Sequence, residues 1–120
     1  MILLLMLFLH IVDDYYLQGI LASMKQKDWW RNQEQYKELY KYDYIVALIV
    51  HSFSWAFMIM LPIAFMMNFA VTPIFISALG GNMLIHCFMD DLKANRKKIN
   101  LIVDQSIHII QIVITFLIFA

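Results

Sequence analysis

From Tyr44 to Met89 the chain contains no Asp, Glu, Lys or Arg. This run of 46 residues constrains the fold more than any other feature. A helix that crosses a bilayer needs roughly 20 mainly apolar residues at about 1.5 Å each, so the run is too long for one crossing and right for two. Asn68, Thr72 and Pro73 mark the turn between them, and Pro73 suits the first position of a new helix. Pro62 is expected to kink or shorten the earlier helix. Two further apolar segments flank the run, Met1 to about Leu21 and Asn100 or Leu101 to Ala120. The expectation is an all-α membrane protein. It is a single domain, a compact bundle of four transmembrane helices spanning about residues 1–21, 44–67, 73–92 and 100–120.

Composition points the same way. Of the 120 residues 62% are hydrophobic and 15% are charged, against about 25% charged in soluble proteins. A water-soluble core cannot hide that much apolar surface in so small a particle, whereas a bilayer accepts it on the outside. Nine Lys and Arg balance nine Asp and Glu, which gives no sign of nucleic-acid binding. The single Cys87 cannot form an intrachain disulfide and leaves the compartment open. Met1-Ile2-Leu3-Leu4-Leu5 lacks a basic n-region, and no small-x-small cleavage site follows, so it reads as a retained helix.

The basic residues set an orientation. Lys25, Lys27, Arg31, Lys37 and Lys41 fall between the first and second helices, and Lys93, Arg96, Lys97 and Lys98 between the third and fourth. The turn between helices two and three has none. The positive-inside rule then puts both basic loops in the cytoplasm and both termini outside. The first loop, Ala22 to Asp43, is polar but rich in aromatics. Trp29, Gln33, Tyr36, Tyr40 and Tyr44 recur at helical spacing, which predicts an interfacial helix with an aromatic belt.

Each predicted span carries one histidine: His10, His51, His86 and His108. Three have an Asp four residues away, in the pairs His10 with Asp14, His86 with Asp90, and Asp104 with His108. Residues at i and i+4 share a helix face, so each pair projects together. Ionisable groups in a span are expensive and face the bundle interior. In an up-down bundle all seven side chains fall at one depth, in the cytoplasmic leaflet. Imidazoles and carboxylates gathered at one level suit zinc, or manganese or iron. Helical bundles build di-metal sites from such residues, and seven candidates exceed the four of a mononuclear zinc site, so one or two divalent ions are expected. Some Asp can instead orient a His. A hydrogen-bonded polar network or proton relay is the alternative.

Neighbouring residues are assigned plainer roles. Asp13 and Asp91 sit one position off the shared faces and read as solvated or capping. Gln18 and Gln105 either hydrogen-bond ligands or substrate, or tie helices together. Lys93 reads as a lysine snorkelling to the interface, or as a partner for an anionic head group. Gly80-Gly81 reads as a place of close helix packing. The nine methionines read as packing. No dinucleotide loop, P-loop or H-E-x-x-H is present.

The string His10-x-x-x-Asp14-Tyr15-Tyr16-Leu17-Gln18, together with His86-x-x-x-Asp90-Asp91-Leu92-Lys93, Asp104-Gln105-x-x-His108 and an isolated His51, resembles the bacterial and phage membrane family called domain of unknown function 3307. The resemblance covers nearly the whole chain. That family often carries a second polar or histidine position after the counterpart of His51; here Ser52 and Trp55 follow. It implies a small multi-span protein of the bacterial inner membrane and supplies no reaction.

Function is therefore expected from the site itself. The first expectation is a metal-dependent hydrolase acting on a lipid or isoprenoid phosphate near the cytoplasmic leaflet. Asp14 or Asp104 would serve as general base, and Lys93 or Arg96 would hold the anion. Cation or proton transport is the second expectation, and a binding factor with a structural metal the third. An oxygen-activating di-iron enzyme is a fourth, weaker one. The expected partners are the lipid bilayer, a lipid-like substrate and, beyond those, a second copy of the chain; nucleic acid is not among them.

Overall fold

The structure, a computed structural model, describes residues 1–17, 21–31 and 42–120. Among them every regular element is helical. Helix α1 (Ile2–Val12) runs directly into a π-helical turn, Asp13–Leu17. Two short helices follow, α2 (Leu21–Met24) and α3 (Lys27–Arg31). Three long helices complete the chain: α4 (Asp43–Met66), α5 (Pro73–Ala94) and α6 (Leu101–Phe119).

Local chemistry sets the ends of the long helices. Thr72 caps α5 by accepting from the Phe75 N–H at 3.2 Å, and Pro73 occupies the first helical position, where its missing N–H is not needed. Asn100 caps α6 by accepting from the Val103 N–H at 2.9 Å. Between α4 and α5 the chain reverses through Asn68 and Phe69, both at positive φ, and the Phe69 N–H reaches back to the Ala64 carbonyl at 2.8 Å. Pro62 does not shorten α4, which continues to Met66.

The four helices α1, α4, α5 and α6 run up and down around a shared interior. Its apolar part is Met6, Trp55, Ala56, Ile59, Met60, Ile63 and Ile112, all without exposed surface. This plug fills the end nearest the α4–α5 turn. The other end is polar, and Trp55 sits between the two layers.

Burial on α5 and α6 is inverted relative to a soluble helix. The buried residues of α5 are Asn82, His86 and Asp90. Those of α6 are Asp104, His108, Gln111, Ile112 and Thr115. Ile74, Ile76, Leu84, Phe88, Ile102, Ile110 and Leu117 are exposed instead. Two helices, α4 and α6, are long and apolar enough to cross a membrane. Helix α1 has 11 residues before its π turn. Helix α5 has 22 but interrupts its apolar run with Gly80, Gly81, Asn82, His86 and Asp90.

Gly80 and Gly81 do not mark a tight helix contact: a Cβ added at either would meet nothing within 4 Å. The first loop is pinned to the end of α5. The Asn95 amide donates to the Lys25 carbonyl at 3.0 Å and accepts from the Lys27 N–H at 2.7 Å. Lys25 and Lys27 thus share an end of the bundle with Lys93, Arg96, Lys97 and Lys98. Of the predicted aromatic stripe, Tyr44 belongs to α4 and carries the Lys27 ammonium 4.9 Å above its ring. Trp29 lies in α3, its ring edge-on to Trp30 at 4.8 Å. Gln33, Tyr36 and Tyr40, like Gln18 of the polar set, lie outside the described residues.

Candidate metal centre

The polar end of the bundle gathers the seven candidate side chains. His10 comes from α1, Asp14 from the π turn, His51 from α4, His86 and Asp90 from α5, and Asp104 and His108 from α6. All are buried except Asp14, whose side chain keeps 11% of its surface open.

At the centre the Nε2 atoms of His51 and His86 lie 2.9 Å apart. Asp90 Oδ2 is 3.0 Å from His51 Nε2 and 3.9 Å from His86 Nε2. Asp14 Oδ1 approaches His51 Nε2 at 3.7 Å from the other side. Two sets of three donors therefore lie close enough to hold a metal ion, Asp14 with His51 and His86, and His86 with Asp90 and His108. His86 belongs to both. Its ring stacks on Trp55 at 4.3 Å and lies beside the tilted ring of His108 at 4.2 Å.

Hydrogen-bond partners fix two tautomers. The Gln111 amide nitrogen donates to the carbonyl and the side-chain oxygen of Asn82, so its Oε1 is the acceptor for His108 Nδ1–H at 3.2 Å. His108 Nε2 then carries a lone pair. It lies 3.1 Å from Asp104 Oδ1, and neither atom has a hydrogen-bond partner among the described residues. Two buried acceptors at that distance repel unless a cation, metal or proton, lies with them. For His10 the indole N–H of Trp55 donates to Nδ1 at 2.8 Å, so Nε2 bears the proton and faces Gln105 Oε1 at 2.9 Å. Both nitrogens of His10 are occupied. The Gln105 amide in turn donates to Asp14 Oδ2 at 3.3 Å and to Asp104 Oδ2 at 3.2 Å.

Asp14, Asp90 and Asp104 face two ammonium groups. Lys25 donates to Asp90 Oδ2 at 2.7 Å. Lys93 donates to Asp104 Oδ2 at 2.9 Å and lies 3.7 Å from Asp90 Oδ1, with 27% of its side chain open. With neutral imidazoles, negative charge remains. Lys93 is a member of the cluster and does not snorkel away from it. Asp13 also departs from its expected place. It is fully buried and accepts from the Ser54 hydroxyl at 2.7 Å. Asp13 and Asp14 follow His10 by three and four residues, so both lie on the face that His10 turns to the interior. Asp91 stays at the rim, against Arg96 at 3.4 Å and the Asn95 amide at 2.7 Å.

Several participants escaped the sequence reading. Lys25 looks like any positive-inside lysine. Trp55 looks like packing, yet it orients His10; the hydroxyl of Ser52, by contrast, turns back to the Leu48 carbonyl at 2.7 Å. Asn82, Gln111 and Thr115 extend the polar layer deeper, with the Asn82 amide donating to Thr115 Oγ1 at 2.8 Å. The i, i+4, i+7, i+11 spacing from Asp104 through His108 and Gln111 to Thr115 is the signal that would have found two of them.

No curated protein matches this chain, and no solved structure does. One family model, described as protein of unknown function (DUF3307), matches residues 2–120. The chain belongs to that family.

Proposed function

We propose that the chain is a four-span protein of the bacterial inner membrane whose buried His/Asp cluster binds one divalent metal ion and hydrolyses a lipid or isoprenoid phosphate. The observation that carries this is the convergence of His51, His86, His108, Asp90 and Asp104 in one buried cluster, in which His86 Nδ1, His108 Nε2 and Asp104 Oδ1 have no hydrogen-bond partner among the described residues. The inverted burial of α5 and α6 supports the membrane reading, because polar residues inside and Ile, Leu and Phe outside suit a hydrocarbon solvent. One ion is the natural number, since the two donor sets share His86. Zinc suits three imidazoles and a carboxylate, and manganese or iron suits the same set.

Each residue then has a task. His51, His86, His108, Asp90 and Asp14 supply the donors. His10 is held by Trp55 and Gln105 and positions Asp14 and Asp104 through the Gln105 amide. A bound divalent ion supplies a Lewis acid and lowers the pKa of its water toward neutrality. Asp104, outside that donor set, would serve as the general base toward water. Lys93, at the open rim, keeps donor capacity for a phosphate oxygen.

The test is phosphate release from lipid phosphates in reconstituted vesicles, measured with and without added zinc or manganese. Metal-dependent release that His86→Ala abolishes is expected. Stoichiometric metal with no hydrolysis of any amphiphile would remove the hydrolase reading.

Proton holding is the second reading. The unbroken chain from Trp55 through His10 and Gln105 to Asp14 and Asp104 favours it. The polar column ends at Thr115, however, beside the apolar plug, where the Asn82 amide also meets Met60 Sδ at 3.8 Å. That makes a store for protons more reasonable than a path across the membrane.

A further inference from the structure

Two lysines meet the carboxylates of the cluster, and they do so differently. Lys93 donates to Asp104 Oδ2 at 2.9 Å and leaves Asp104 Oδ1, 3.1 Å from His108 Nε2, without a hydrogen-bond partner among the described residues. It brings charge to the rim and takes no oxygen from the imidazole side. Lys25 does the reverse. Its ammonium donates at 2.7 Å to Asp90 Oδ2, the oxygen that lies 3.0 Å from His51 Nε2 and 3.9 Å from His86 Nε2.

An ion held by these imidazoles and Asp90 draws on that same oxygen. A carboxylate oxygen serves a metal and a neutral donor together without conflict, but here the donor is a full cation. The side chains of Lys25 and Asp90 are 11% and 2% exposed, so little water screens what they meet. Two positive groups on one buried oxygen repel, and the divalent ion has the imidazoles as well. Without metal the ammonium keeps Asp90 from standing buried and unpaired.

The side chain is free to leave because the main chain beside it is held by other means. The Lys25 carbonyl accepts from the Asn95 amide at 3.0 Å, the Lys27 N–H donates to Asn95 Oδ1 at 2.7 Å, and the Trp30 indole donates to the Met24 carbonyl at 2.6 Å. None of these bonds uses the ammonium. Gln26 and Lys27, the next two residues, are exposed, so the flexible lysine stem has solvent within reach while its backbone stays docked.

We infer that Lys25 is a tethered competitor for the metal: its ammonium holds Asp90 Oδ2 in the metal-free chain and swings to the rim when a divalent ion binds. The inference rests on the proposed metal centre and adds what sets its affinity.

The experiment uses the full chain in detergent, stripped with a chelator and then titrated with zinc at one fixed pH. Amines are acetylated with an N-hydroxysuccinimide ester, and the rate at each lysine is read by mass spectrometry. Lys25 should react far more slowly than the exposed Lys98 in the metal-free chain, and zinc should bring it close to the rate of Lys98 without changing Lys98 itself. Lys25→Met should bind zinc about tenfold more tightly than wild type, whereas Lys27→Met should bind it as wild type does. Removing any nearby charge tightens metal binding, so the acetylation rate decides displacement. One zinc per chain with Lys25 as protected as before, or Lys25→Met with weaker affinity, would overturn the inference and leave the hydrolase standing. Release of Lys25 by zinc without hydrolysis of any lipid phosphate would uphold the inference and remove the hydrolase. A chain that binds no zinc with or without Lys25 would overturn both.

Discussion

His108 shows how one side chain comes to ask for a cation. Its Nδ1 proton is committed to Gln111, and its Nε2 lone pair is buried against Asp104. On the other side of the cluster His86 Nδ1 is buried without a hydrogen-bond partner among the described residues, and His86 Nε2 lies 3.9 Å from Asp90 Oδ2. We expect His86→Ala and Asp90→Asn each to release the metal, because water replaces a lost ligand poorly inside a bundle; metal analysis of purified protein checks this. Lys93→Ala should keep the metal and raise KM for a phosphate-headed substrate. Even a partner that only orients a ligand typically costs about 10–100-fold, so Gln105→Leu should weaken metal binding by that order without abolishing it. The convergence of these residues was legible in the sequence as far as the i, i+4 pairs go. The part that was not legible is partner choice. Nothing in the spacing says that His10 gives both nitrogens to Trp55 and Gln105, or that Lys25 reaches Asp90 from 65 residues away.

Among the elements, α5 and α6 were the most readable, because Thr72-Pro73 and Asn100 are local signals that act through the first turn alone. The π turn was not readable. Asp13 was assigned to solvent as one position off the His10–Asp14 pair, yet at i+3 from His10 it shares that face and is buried. Gly80-Gly81 misled for a related reason: small residues permit close packing but do not cause it, and here the space stays open. The short α2 lies against the bundle through a buried ion pair, Lys25 with Asp90. Removing one partner of such a pair leaves an uncompensated charge and typically costs about 3–5 kcal/mol. Lys25→Met should therefore lower the unfolding temperature in detergent, and added divalent metal should restore much of the loss, because the variant is more negative at the site. A variant that melts like the wild type without metal would show that α2 is not held by this pair.

The whole molecule has its polar side chains gathered inside one end and its aliphatic side chains outside. That distribution suits the bilayer solvent proposed for the chain, which the uncharged run between Tyr44 and Met89 led us to expect. How the inside is divided was not: the plug of Met6, Trp55, Ile59, Met60 and Ile63 on one side of the cluster depends on long-range packing. Lys25, Lys27, Lys93, Arg96, Lys97 and Lys98 lie at the same end of the bundle, and for the proposed four-span protein the positive-inside rule predicts that end in the cytoplasm and Ala120 outside. Reporter fusions at Ala120 should be active only when the reporter works outside the cytoplasm; a cytoplasmic C-terminus would reverse the leaflet in which the cluster lies. The most direct test of the account is metal content by mass spectrometry on purified wild-type protein and on the double variant His86→Ala, Asp90→Asn, with folding checked by circular dichroism. The account predicts one divalent ion per wild-type chain and none in the folded double variant. A double variant that keeps its full metal content, or a folded wild-type chain that binds none even with zinc, manganese and iron supplied, would contradict it.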